Sequence, residues 1–207
     1  MGSEMCIRDS GGGSFKFSGG LTLAAGSELV GQGQQVTGDI VLNGGKLNTE
    51  KNTEFPGDIS VSADSTIQIA SSQAFTYGGQ AIDLGASKLK IQGGGSFVTG
   101  TTPIKLNNGG SGLELDNVIV SNVSVTAASS QQQQGILKTS NATVDTLSLD
   151  KKLRLSVTSG GTLTVTKPLT VPAEGIELSG AGTLKLSDTL TLNGDAVLAS
   201  GLSLIHI

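Results

Sequence analysis

The stretch Ile40-Val41-Leu42-Asn43-Gly44-Gly45-Lys46-Leu47 holds the reading of the whole chain. It begins apolar-x-apolar, passes through a polar, glycine-rich turn and resumes with an apolar residue. Six further strings repeat it: ISVSADSTI (59–67), IDLGASKL (82–89), IKLNNGGSGL (104–113), ILKTSNATV (136–144), LSVTSGGTL (155–163) and IELSGAGTL (176–184). ILKTSNATV fits loosely, with Lys138 at the third place. Alternation over a few residues is the mark of a strand with one buried face. Recurrence at a fixed period of 20–50 residues is the mark of a repeat architecture.

The first apolar column reads Ile40, Ile59, Ile82, Ile104, Ile136, Leu155, Ile176, with steps of 19, 23, 22, 32, 19 and 21. The second reads Leu47, Ile67, Leu89, Leu113, Val144, Leu163, Leu184, with steps of 20, 22, 24, 31, 19 and 21. Both stretch together across AASSQQQQG, residues 127–135, which reads as a loop inserted into one turn of the array. A third column aligns Val36, Phe55, Phe75 and Phe97, with Phe17 as its extension, and predicts stacked core rings.

Three short strands per coil of about 21 residues, repeated some nine times, predict an all-β parallel β-solenoid. Each strand pairs with its equivalent one coil away, at roughly 4.8 Å, in a rod roughly 40 Å long. The uneven period and the tolerated loop favour a right-handed β-helix over the stricter left-handed hexapeptide type. Pro56, Pro103, Pro168 and Pro172 fall at expected corners or strand ends, where a missing N–H does no harm. A β-sandwich has comparable strand spacing but does not explain columns in register.

The two ends look unlike the rest. One transposon-type sequencing-library adapter, translated forward, reads Gly2 to Asp9, and its inner part in reverse complement reads Leu202 to Ile207. Residues 1–10 and 202–207 thus resemble translated adapter DNA and are set aside before fold reasoning. Residues 11–201 are expected to be one solenoid segment, open at both ends and continued by further coils. Cys6 and His206, the only cysteine and histidine, are excluded as ligands, nucleophiles or bases on this reading.

Composition narrows the function classes. Without Glu4, Arg8 and Asp9 the chain holds 12 basic and 15 acidic residues. That mild acidity, with Arg154 as the remaining arginine, argues against a nucleic-acid partner, which needs clustered positive charge. No apolar run reaches the roughly 20 residues of a membrane span, and no disulfide framework is available. Gly, Ser and Thr in quantity suit many short strands and tight turns.

Outward positions beside the first column read Val41, Ser60, Asp83, Lys105, Leu137, Ser156 and Glu177. Beside the second they read Asn48, Gln68, Lys90, Glu114, Asp145, Thr164 and Lys185. Cleavage of a glycosidic bond needs two carboxylates roughly 5–10 Å apart. Glu114 and Asp145 form the one stacked acidic pair in these columns and are the catalytic candidates, with Asp116 as a third carboxylate. The neighbouring Lys90 and the Asp83–Lys105 pair point instead to charge compensation on a solvated face.

GGSGLELD (109–116) departs from the calcium-binding nonapeptide at Glu114 and Asp116, and it occurs once where such sites come in tandem. No phosphate-binding loop is present, and zinc or Cys/His chemistry lacks its residues. No cofactor and no metal are expected. Thr162, Thr164 and Thr166 make an outward threonine row that Lys185 interrupts one coil on. Asn122 and Asn141 sit in N-glycosylation triplets, and Gln131–Gln134 read as a flexible loop tip.

The columns, the Gly/Asn/Ser turns and strings such as GTLTVTKPLTV (161–171) and LDNVIVSNVSV (115–125) resemble bacterial surface β-helix proteins. The nearest groups are autotransporter passengers and haemagglutinin-like adhesins, within the pectin-lyase-like fold. The resemblance rests on repeat style and covers most of residues 15–200. It implies a secreted or cell-surface stalk that displays loops for adhesion, with host-surface or cell-surface glycans or proteins as partners. The alternative is a non-catalytic part of a carbohydrate-active β-helix enzyme or phage tailspike depolymerase. No family catalytic residue carries over, so no enzymatic activity is expected of this segment.

Overall fold

The computed structural model describes residues 6–8, 14–107, 111–125 and 135–206. Among them the chain forms 27 strands and no helix. Every strand pairing is parallel and joins one coil to the next. The result is a β-solenoid. Strands such as Lys46–Lys51, Ser65–Ile69, Lys88–Gln92, Gly112–Asp116 and Leu153–Val157 lie side by side in a ten-stranded sheet. A second side belongs to a twelve-stranded sheet that includes Thr53–Phe55, Ala74–Tyr77, Ser96–Val98, Ile119–Val125 and Ala142–Leu149. The third side starts as a three-stranded sheet (Leu21–Ala24, Ile40–Asn43, Ile59–Ala63) and ends as a two-stranded one (Leu169–Val171, Leu190–Leu192).

Along the ten-stranded sheet one column runs Leu29, Leu47, Ile67, Ile91, Leu115, Thr139, Val157. Its steps range from 18 to 24 residues, and the array makes about eight turns with a mean period near 21. Alternation sends these side chains inward, and most are fully buried. All four prolines lie outside strands, as their missing donor requires. Corners need tight backbone. Gly180 closes a strand with φ of 99°, and a Cβ there would lie 1.9 Å from the Val157 carbonyl oxygen, so only glycine fits.

The columns differ from the sequence reading in two ways. First, Ile67 stacks on Ile91, whereas Leu89 stacks on Ser65. Likewise Phe75 stacks on Phe97 and Thr53, whereas Phe55 stacks on Tyr77. The single aromatic column is therefore two adjacent ones. Phe55, Phe75, Tyr77 and Phe97 form a buried four-ring cluster with centroids 5.3–6.2 Å apart and near-parallel planes. A two-residue slip keeps every side chain on its own face, so alternation cannot detect it.

Second, the strings after residue 135 lie one side further round the coil than those before residue 113. IVLNGGKL runs from the third side into the ten-stranded sheet; ILKTSNATV runs from the ten-stranded into the twelve-stranded sheet. Ile104 is continued by Val123 and then Leu147, not by Ile136. Ile136 faces outward and is 41% exposed, while Leu137, expected outside, is wholly buried against Leu113 and Leu155. The long steps of 31 and 32 residues come from this change of side. The coil from Leu115 to Thr139 spans 24 residues, no more than the two before it. Of the expected loop 127–135, positions 127–134 lie outside the described residues, as do residues 1–5, 9–10 and 207 of the expected end segments.

Candidate functional site

The outer face of the ten-stranded sheet carries most of the charge chemistry. One outward column runs Glu28, Lys46, Thr66, Lys90, Glu114, Lys138, Ser156 and Ser179. Opposite charges meet on adjacent rungs: Lys46 Nζ lies 3.0 Å from Glu28 Oε1 and Lys90 Nζ 3.5 Å from Glu114 Oε1. Lys138 Nζ lies 3.8 Å from Glu114 Oε2, and Lys90 also reaches Asp116 Oδ2 at 3.7 Å. Glu114 therefore sits between lysines from both neighbouring coils. Each side chain keeps about a third or more of its surface in water, so each pair contributes at most about 1 kcal/mol.

This placement separates the catalytic candidates. Glu114 and Asp116 stand on Gly112–Asp116, in the ten-stranded sheet; Asp145 stands on Ala142–Leu149, in the twelve-stranded sheet. Asp145 instead accepts a 2.9 Å hydrogen bond from the Thr166 hydroxyl. The two do not flank a common space, and the stacked acidic pair read from the sequence is not assembled. Its basis was the second column, which crosses from one sheet to the other between Leu113 and Val144.

Other singled-out residues have structural partners. Asp83 stacks on Lys105 and takes a hydrogen bond from Asn107 Nδ2. Thr164 stacks on Thr143 and Lys185, so the threonine row does break at the expected place. Asn141 has φ of 50° and accepts the Thr162 N–H at 3.2 Å, while Asn122 donates to the Gly100 carbonyl. His206 is exposed and its Nε2 contacts the Asp188 carbonyl at 2.9 Å. Cys6 lies on a strand whose backbone pairs with Glu28. Lys151 holds the Glu174 carboxyl below its usual range through a side-chain hydrogen bond.

One cavity accompanies the charged column. A groove of about 470 Å³ runs over Thr66, Leu89, Gly112 and Leu113, with Asp64, Lys88, Lys90, Glu114, Ile136 and Lys138 around it. Its origin is a gap in the next outward column, which reads Lys88, Gly112, Ile136, Arg154. Gly112 supplies no side chain between a lysine and an isoleucine. The sequence contains that signal only once register is known, because Lys88, Gly112 and Ile136 come from three coils.

No group of three or more His, Cys, Asp or Glu side chains that could hold a metal ion occurs among the described residues. No described helix is long and apolar enough to cross a membrane. No protein-family model matches the chain, nor does any curated protein or solved structure.

Proposed function

We propose that this chain is a structural and adhesive stalk segment of a secreted or cell-surface bacterial protein, of the autotransporter-passenger or haemagglutinin-like kind. The observation that carries the reading is the continuity of the ladders. Ten parallel strands follow one another along one sheet, each coil contacting only its neighbours. Such a rod lengthens by adding coils without changing its cross-section, and tension along its axis loads many backbone hydrogen bonds in turn. The outward ion pairs are compensated and exposed, which suits a solvated scaffold. Its partners are host-surface or cell-surface glycans or proteins, together with further coils at both ends.

Recovery of the uninterrupted gene by long-read sequencing across both ends tests the reading. About a dozen amphipathic strands of roughly ten residues after the last coil, the pattern of an outer-membrane barrel, is the expected result. Flanking coils with paired outward carboxylates, or a trimerising tail, would replace the stalk by a polysaccharide-cleaving enzyme. Junctions that prove genomic would return residues 1–10 and 202–207 to the protein.

A further inference from the structure

Asparagine stands directly before glycine three times in the chain, at Asn43, Asn108 and Asn193. Such a pair is open to attack by its own backbone, because glycine has no Cβ to keep its peptide nitrogen away from the asparagine side chain. Asn108 lies outside the described residues. The other two occupy corresponding corners. Each lies at the end of a third-side strand, Ile40–Asn43 or Leu190–Leu192, where the chain turns into the ten-stranded sheet. Both side chains are exposed, so access to water does not separate them.

Their backbones do. The Gly44 N–H donates to Ser65 Oγ at 2.9 Å. Asn43 belongs to its strand, in register with Ala24 on one side and Ala63 on the other. The Gly194 N–H, by contrast, has no hydrogen-bond partner among the described residues. Asn193 lies past the end of its strand, with its N–H on the Val171 carbonyl at 3.0 Å. The corner also demands its glycine: a Cβ at Gly194 would lie 2.2 Å from the Pro172 carbonyl oxygen. Packing thus places the least shielding residue directly after an exposed asparagine.

We propose that Asn193 is a site of spontaneous deamidation in the folded protein, and that Asn43 is protected from the same reaction. The Gly194 nitrogen loses its proton to hydroxide and attacks Asn193 Cγ. The N–Cγ bond forms, the Cγ–Nδ2 bond breaks, and Nδ2 leaves as ammonia with a proton from water. Water then opens the five-membered imide at either carbonyl, giving aspartate or isoaspartate. The sum is asparagine and water to the acid and ammonia, with no oxidant or reductant. At Asn43 the Gly44 N–H must first give up its hydrogen bond, which slows the reaction about 2- to 10-fold.

Either product adds a negative charge two residues from Asp195. Isoaspartate also routes the backbone through the side chain and lengthens the corner by one methylene. The bonds flanking it, Asn193 N–H to Val171 and Ile176 N–H to the Asp195 carbonyl at 2.8 Å, belong to the shorter corner. Deamidation therefore loosens this coil against the one before it. The site does not depend on the stalk reading, since its chemistry needs only water.

The test holds the full chain for weeks in mildly alkaline buffer, with and without urea, and then digests it with trypsin. Peptides 17–46 and 186–207 carry Asn43 and Asn193. In the folded chain, peptide 186–207 should gain one mass unit, faster at higher pH, with isoaspartate detected by enzymatic carboxyl methylation. Conversion at Asn43, placed by fragment ions, should lag about 2- to 10-fold and catch up in urea. Ser65→Ala frees the Gly44 N–H and should raise the Asn43 rate by about the same factor. Should that variant misfold, the comparison with urea on the unaltered chain decides the protection. Hydrogen exchange at the Ile176 amide should quicken in the deamidated fraction.

Peptide 186–207 left unmodified, or modified only in urea, would overturn the proposal. So would equal rates at the two asparagines in the folded chain, or an unchanged Asn43 rate in a folded Ser65→Ala. Unchanged Ile176 exchange would overturn the loosening of the coil.

Discussion

Two stretches of one core fill the same cross-section with different material. Between residues 53 and 97 the inward positions of the twelve-stranded sheet hold Phe55, Phe75, Tyr77 and Phe97, in mutual contact. Between residues 137 and 186 the core is aliphatic, with columns Leu137–Leu155–Leu178 and Val144–Val165–Leu186. The backbone ladder continues through both. In a solenoid each coil must complement only its two neighbours, so core chemistry can change along the axis while the fold does not. Rings also need partners across columns, and this is why they come as a two-by-two block and not as a single file.

The largest break in that comparison should come from truncating a ring. Phe75→Ala removes contacts with Phe55 and Phe97 and should cost about 3–5 kcal/mol, against about 2–4 kcal/mol for Leu155→Ala. Urea denaturation measures both, and equal losses would mean that the ring block adds nothing beyond its volume.

Tyr77→Phe is subtler. The buried Tyr77 hydroxyl donates to the Gln80 carbonyl at 2.7 Å and accepts the Ile59 N–H at 3.1 Å. Its loss orphans both groups and should cost about 1–3 kcal/mol. Burial, opposed by the Ile59 hydrogen bond, raises the Tyr77 pKa above its ordinary 10.0. Its contribution is thus fully present below pH 10 and falls as pH rises from there through the folded-state value. Tyr77→Phe should flatten that alkaline slope; an unchanged slope between wild type and variant would remove Tyr77 as its source.

In the aliphatic stretch the corresponding change should stabilise. Thr139 is fully buried between Leu115 and Val157, and its hydroxyl has no hydrogen-bond partner. Thr139→Val keeps the shape, removes the orphan and should add about 1 kcal/mol, read as a higher denaturant midpoint. A lower midpoint would show that the hydroxyl is satisfied in solution. The smallest effect belongs to the outer face: Glu114→Gln should change stability by less than about 1 kcal/mol, with a difference that shrinks in high salt.

Much of this was legible beforehand. Ile40, Leu47, Leu113 and Leu184 were expected inside and are buried there; the prolines were expected at corners and lie outside strands. The Asp83–Lys105 and Lys90–Glu114 neighbours were also found in register. Ile136 and Leu137 exchange faces because the leading Ile of ILKTSNATV sets the alignment, while the buried residues of its first strand are Leu137 and Thr139. Tyr77 escaped the aromatic column because it stands two residues from Phe75, on the same inward face.

Sequence alone determined that this is a parallel β-solenoid with a coil of about 21 residues, an apolar interior and glycine or proline at its corners. Alternation and recurrence are local properties, and each is written into every string. Only the tertiary structure decided which side of the coil each string occupies, and hence that Glu114 and Asp145 stand on different sheets while Lys88, Gly112 and Ile136 meet in one groove. The reason is physical. A period of two distinguishes inside from outside, but three sides built from the same short apolar strands and the same turn residues carry no local label. Their identity is settled by stacking on the coils before and after.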